Sequence, residues 1–172
     1  MIKEDIKLTY HTTHHARRDT IREILDFDRP ILDIGCGEGF YAIPFAQNLK
    51  EKEYIAIDPD DEMRELVKRK AESRNIENIK IYKTFQDFLR EKDHLENLDI
   101  ILTEVLEHLN AREAKRILQE IKNFKNFVNC IITTPNRDFN QFYLFSEKEM
   151  RHEGHIKEYS GEEFRELIES IC

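Results

Sequence analysis

The chain has no tryptophan and, among 172 residues, only three cysteines, four prolines and five glycines. Cys36, Cys130 and Cys172 are scattered, odd in number and without metal-ligand spacing, so they read as free thiols in a reducing cytoplasm. No apolar run approaches the length that crosses a bilayer, and Met1-Ile2-Lys3-Glu4-Asp5 lacks the apolar core of a signal peptide. Repeats, linkers and low-complexity tracts are missing too. A cationic surplus is also absent: the net charge is −8, which argues against a protein that holds long nucleic acid through phosphate contacts alone. It leaves room for one that grips only a terminus. What the chain does have is charge of both signs, 36% of its residues, beside plentiful aliphatic and aromatic side chains. That describes one globular domain over 1–172 with a dense ionic surface, of a kind that heat-loving organisms use.

Three of the five glycines fall in one heptapeptide, Asp33-Ile34-Gly35-Cys36-Gly37-Glu38-Gly39. It follows the apolar run Pro30-Ile31-Leu32 and precedes a helical pattern that starts near Phe40. Strand, glycine loop and helix let backbone N–H groups come close to a ligand, because glycine has no Cβ and accepts positive φ. Asp58 ends the next apolar run, Tyr54-Ile55-Ala56-Ile57, where an acid takes the two ribose hydroxyls of an adenosine cofactor. Dinucleotide folds use G-x-G-x-x-G and seat a pyrophosphate on the helix N-terminus. Here the spacing is G-x-G-x-G, and the carboxylate of Asp33 before it would repel a pyrophosphate but suits a cationic ligand. The pattern resembles motif I of the class I S-adenosylmethionine-dependent methyltransferases. That resemblance implies a cofactor site on Asp33, Gly35, Cys36, Gly37, Gly39, Asp58 and Pro59, joined by Glu104. Phe40 and Met63 could flank the cofactor, but core packing explains both more cheaply.

Periodicity and breakers give the rest. Helices are expected over Thr12–Phe27, Phe40–Leu49, Asp61–Ser73, Gln86–Arg90, Ala111–Lys122 and Ser160–Ile171, with Asp60 as an N-cap and Ser160/Glu163 as a capping box. Strands are expected over Pro30–Asp33, Tyr54–Asp58, Ile79–Tyr82, Leu98–Leu102 and Phe127–Thr133. Alternation of this kind means an α/β fold, a doubly wound and mostly parallel sheet of the Rossmann-like methyltransferase type. The glycine loop, Asp58, Glu104 and Pro135-Asn136 all fall at carboxyl ends of strands, where such sheets bind ligands. The usual C-terminal antiparallel hairpin is not expected after Asn136. The last strand would then be an edge open to a second copy or a partner chain. Arg17-Arg18 beside His11, His14 and His15 is the main local cationic feature, and taken alone it reads as a solvated helix face.

Thr103-Glu104-Val105-Leu106-Glu107-His108-Leu109 lies at the end of the fourth strand. As the start of a helical turn it would put Glu104, Glu107 and His108 on one face, a half-site for a divalent cation. Similar E-x-x-E-H strings also occur in small-molecule class I enzymes such as the ubiquinone-pathway O-methyltransferases, with no obligatory metal. Two later blocks add to it: Thr134-Pro135-Asn136-Arg137-Asp138-Phe139-Asn140, and Met150-Arg151-His152-Glu153-Gly154-His155-Ile156-Lys157-Glu158-Tyr159-Ser160. Together the three resemble the catalytic domain of the small-RNA 3′-terminal 2′-O-methyltransferases, which show E-x-x-E-H, T-P-N-x-E-F-N and R-x-x-D-H-x-F-E-W-T. Gly154 departs from that pattern, and His152 has no required counterpart.

The resemblance implies metal ligation by Glu104, Glu107, His108 and His155, with Mn²⁺ or Co²⁺ preferred over Mg²⁺ because imidazoles sit beside carboxylates. It also implies two open positions on the ion for the hydroxyls of a terminal ribose, and His108 or His155 as the catalytic base if either is free. Phe139, Phe142, Tyr143 and Phe145 would stack on the terminal base or form a lid. Asp87 is where many relatives contact adenine, though a surface helix position accounts for it better. The acceptor is then an RNA 3′ end. The alternatives are a small hydroxylated molecule or glycan and, in another class, an inactive cofactor-binding subunit that needs a partner.

Overall fold

The computed structural model describes residues 10–92, 94–143, 150 and 152–171, the side chains of 10–13, 142 and 143 excepted. Five strands, β1 (Ile31–Ile34), β2 (Tyr54–Ile57), β3 (Ile79–Tyr82), β4 (Leu98–Thr103) and β5 (Phe127–Thr133), form one sheet in the order β3-β2-β1-β4-β5. Every pairing is parallel, with Ile31 beside Tyr54 and Asp99, and Thr103 beside Thr133. β1, β2 and β4 are buried at every position, the mark of central parallel strands covered on both faces. One cover is α1 (Tyr10–Ile24), α2 (Ala42–Ala46) and α3 (Asp61–Glu72), which pack Ile21, Leu25, Phe45 and Val67 against the sheet. The other is α4 (Phe85–Lys92), α5 (Ala111–Phe124) and α6 (Gly161–Glu169), with Phe88, Leu118 and Ile121 inside.

The strands sit within a residue or so of their expected positions. The helix after the glycine loop does not: it shrinks to five residues, Ala42–Ala46, instead of Phe40–Leu49. The amide of Asn48 folds back onto the carbonyl of Pro44 at 2.6 Å, and Asn48 and Leu49 close onto Phe45 and Ala46 in tighter i→i+3 bonds, ending the α geometry. Helix starts follow side-chain chemistry. Asp60 accepts the Glu62 N–H, and Ser160 and Glu163 form the expected capping box. Asn110 and Glu113 form a second box that opens α5. Asp87 caps rather than reaches a ligand: its Oδ2 takes the N–H and hydroxyl of Thr84, at 3.1 and 2.7 Å.

The order in which the chain adds strands reverses between β1 and β4, so the loops after these two strands diverge around a crevice. Among the described residues β5 pairs only with β4, and the chain returns to its end through a parallel bridge between Asn136 and Tyr159. That bridge carries the segment 152–159 over the carboxyl end of β4. Asn110→Ala removes one acceptor that holds two N–H groups, and it should cost about 1 kcal/mol in urea unfolding without altering far-ultraviolet circular dichroism.

Candidate functional site

Glycine is required where the loop meets β4. Gly35 has φ +81°, and an added Cβ would collide with Cγ2 of Val105. The loop is further pinned by Asp58, whose Oδ2 accepts the Gly37 N–H at 2.8 Å while Oδ1 accepts that of Asp60 at 2.9 Å. Lys70 from α3 ties down the carbonyl of Glu38 at 2.8 Å. The result is a cavity of about 280 Å³ at the switch point. Its walls are the loop (Gly35, Cys36, Gly37, Glu38, Phe40, Tyr41), the end of β4 (Thr103, Glu104) and α1 (His14, His15, Arg17).

The contribution of α1 corrects the solvated-face reading of its basic stretch. Arg17 is mostly buried and pairs with Glu104 at 2.9 Å, and the Arg18 guanidinium lies 5.1 Å from the centre of the Phe40 ring. His14 and His15 meet the same ring edge-on. Of the expected cofactor residues, Gly35, Cys36, Gly37 and Glu104 line this cavity. Gly39, Asp58, Pro59 and Asp33 do not, and neither does Met63. Asp58 stands one hydrogen bond behind the wall. Asp33 is wholly buried, with its Oδ2 accepting the Tyr54 hydroxyl at 2.7 Å and its Oδ1 unpartnered.

Burial raises the Asp33 carboxyl to about 7, against the opposing pull of the Tyr54 hydroxyl. The Cys36 thiol is pushed up by burial and then by Asp33, which disfavours its thiolate form.

Beyond Glu104 the backbone departs from the helical turn read from sequence. Glu104 has φ +55°, and a 3₁₀ turn covers only Leu106–His108. Glu104 therefore does not share a helical face with Glu107 and His108. Its carboxylate turns to Arg17 and to the Thr133 hydroxyl, at 2.9 and 3.1 Å. Glu107, His108 and His155 do converge: one ligand atom from each lies within 4.8 Å of the others. Glu107 is fully buried, its Oε2 takes the Thr134 hydroxyl at 3.1 Å, and its Oε1 has no partner. Burial, and then the neighbouring Glu104, push its carboxyl up to about 8. A buried oxygen without a donor beside two imidazoles is what a cation site offers, and the donor set fits Mn²⁺ or Co²⁺.

The imidazoles are oriented for the same task. Nδ1 of His108 lies 2.8 Å from the Gly154 carbonyl, and Nδ1 of His155 lies 2.6 Å from Oε1 of Glu158. Both acceptors demand an Nδ1–H, which leaves the Nε2 lone pair of each ring for a ligand. His152 differs: its Nδ1 accepts the Gly154 N–H at 3.0 Å, so its other nitrogen carries the proton in the neutral ring. It stands beside His155, 5.4 Å between ring centres, as a neighbour of the cluster. The segment that carries His155 is held by the Glu107 carbonyl, which accepts the N–H groups of Ile156 and Lys157 at 2.7 and 3.1 Å. Phe139 is half exposed. The side chains of His11, Phe142 and Tyr143, and residues Phe145, Arg151 and Cys172, lie outside the described residues.

Sequence reasoning missed Tyr41, Thr103, Glu158 and Asn140. Only the basic string on α1 carried any signal for its wall.

The raised Asp33 carboxyl has a measurable consequence. It stabilises the fold fully below the unfolded value near 4, and this contribution is lost as pH rises toward 7. Relative to Asp33→Asn, the native protein should lose about 4 kcal/mol of unfolding free energy between pH 4 and 7, then level off. Denaturant melts at each pH check this, and a constant difference would remove the assignment.

Three comparisons bear on this geometry. A family model described as a methyltransferase domain matches residues 31–125, more than half of the chain. A small RNA 2′-O-methyltransferase of Tetrahymena thermophila is 33% identical over 75 residues, 42% of this chain and 18% of that protein. A solved Pnkp1/Rnl/Hen1 RNA repair complex contains a chain that is 32% identical with a TM-score of 0.77, matching 92% of this chain and 34% of its own length. The small RNA methyltransferase HEN1 structure shares the fold at TM-score 0.79 and 16% identity, over 99% of this chain and 23% of that one. The chain thus spans about a fifth to a third of the lengths of these relatives. Among the described residues no helix is long and apolar enough to cross a membrane. With a cofactor cavity at the switch point of a five-stranded parallel sheet, the chain belongs to the methyltransferase-domain family of S-adenosylmethionine-dependent enzymes and resembles the small-RNA 2′-O-methyltransferases within it.

Proposed function

We propose that this domain methylates the 2′-hydroxyl at the 3′ end of RNA, assisted by a divalent cation. The observation that supports it most is the cluster of Glu107, His108 and His155 beside the cofactor cavity, with both imidazoles presenting Nε2. Glu107, His108 and His155 would hold the ion, while Glu104 stays paired with Arg17 at the edge of the cluster. When bound, the cation supplies Lewis-acid activation of a coordinated ribose hydroxyl.

The residues of the chain do the rest. The Gly35–Gly37 backbone and Cys36 seat the donor, and Asp58 holds that loop from behind through the N–H groups of Gly37 and Asp60. Val105 packs against Gly35, so the two loops set the distance between methyl donor and acceptor as one unit. With their Nε2 lone pairs on an ion, His108 and His155 would serve as ligands, and the hydroxyl proton would pass to solvent.

We propose an RNA terminus as partner at the cluster, and a second chain at the open edge of β5, a reading favoured by the relative solved inside a multiprotein complex. The setting is the cytoplasm, with Cys36 and Cys130 as thiols. A small hydroxylated acceptor is the second reading, favoured by the net charge of −8.

Transfer of labelled methyl to a short RNA with free 2′ and 3′ hydroxyls tests this. Chelation, His155→Ala or a 3′-phosphate should each lower transfer at least about 100-fold, and added Mn²⁺ or Co²⁺ should reverse the chelation. Full transfer after chelation and in His155→Ala would remove the metal. Transfer to a metabolite extract with RNA untouched would favour the second reading.

A further inference from the structure

Behind His155 lies a buried polar pair from two different segments. Glu158 is 2% exposed and Asn140 wholly buried. Oε1 of Glu158 lies 2.6 Å from Nδ1 of His155, and Oε2 accepts the Asn140 side-chain N–H at 2.9 Å. Asn140 comes from the turn Arg137–Tyr143 after β5, whereas Glu158 comes from the segment that carries the imidazole. Arg137 binds the main-chain carbonyl of Glu158 at 3.2 Å, which fixes the backbone from which the carboxylate projects.

A carboxylate this deeply buried is costly unless its oxygens are occupied. Here both are, one by an amide and one by the imidazole. The amide decides which oxygen faces the ring, and the carboxylate decides which ring nitrogen keeps the proton. We infer that Glu158 is a positioning residue that holds His155 as the Nδ1–H tautomer and so aims its Nε2 lone pair at the cluster, with Asn140 locking the carboxylate in register. The inference rests on the metal reading of Glu107, His108 and His155, but its tautomer half stands on the metal-free geometry.

The arrangement explains why the sequence spaces His155 and Glu158 three residues apart across a turn. The imidazole and its orienting acid then move as one piece, and the bonds from Ile156 and Lys157 to the Glu107 carbonyl fasten that piece to the other ligand. Outer partners of metal-ligating imidazoles raise their basicity and fix their direction, and losing one typically lowers metal affinity about 10- to 100-fold.

Glu158→Gln preserves shape while reversing the logic. If Asn140 keeps donating, the new amide turns its oxygen to Asn140 and its N–H to His155, which forces the proton onto Nε2. Two measurements on the full chain test this. Long-range ¹⁵N–¹H correlation of the His155 ring at pH 8, without metal, should show Nδ1–H in the native protein and Nε2–H in Glu158→Gln. Visible titration with Co²⁺ should show at least about a 10-fold weaker site in Glu158→Gln, while S-adenosylhomocysteine binding by calorimetry stays unchanged. An unchanged tautomer with unchanged Co²⁺ affinity in a folded Glu158→Gln overturns the inference. If the native protein and His155→Ala take up Co²⁺ equally, the metal reading fails instead, and the tautomer switch still decides the role of Glu158.

Discussion

Keeping the Glu107 carboxylate out of water, with one oxygen unpaired, is the constraint around which the acceptor side is arranged. Leaving a buried charged group unsatisfied costs a few kcal/mol, roughly, so the fold holds it neutral or gives it a cation. Several of its neighbours suit the second outcome, which is the one proposed. Thr134 covers the other oxygen, the Glu107 carbonyl gathers the His155 segment, and the two rings turn proton-bearing nitrogens away from it. The same residue thus links β4, the turn after it and the loop that crosses back from β5.

The donor side depends on a different economy of space. Five glycines serve a chain of this length, and three of them make the one loop that must sit under both a ligand and Val105. Because Val105 lies between Glu104 and Glu107, the packing contact that shapes the cofactor cavity also positions the cluster. Arg17 adds a second link: it belongs to the wall of the cavity and also holds Glu104. The cavity and the Glu107, His108 and His155 cluster are therefore one mechanical unit.

Much of this was legible in the residues. The central strands could be found because strands buried on both faces read as unbroken apolar runs, as Tyr54–Ile57 and Leu98–Leu102 do. Glu107 and His108 follow from their spacing after β4, whereas His155 follows only from the resemblance to the small-RNA 2′-O-methyltransferases. The helical face expected for Glu104, Glu107 and His108 does not form, because Glu104 adopts a left-handed backbone that no local pattern announces. The role of α1 was hidden for a related reason: a basic helix face looks solvated until the glycine loop and Phe40 are placed against it. Glu158 and Asn140 were invisible because a buried polar pair 18 residues apart exists only after the chain has returned to β5.

The most direct measurement is anomalous scattering from a crystal soaked in Mn²⁺ and S-adenosylhomocysteine. A single peak about 2 Å from the Glu107 carboxylate and from Nε2 of both His108 and His155, facing the cofactor sulfur, is the predicted result. Cofactor density in the cavity with no peak at the cluster, under saturating Mn²⁺, would contradict it.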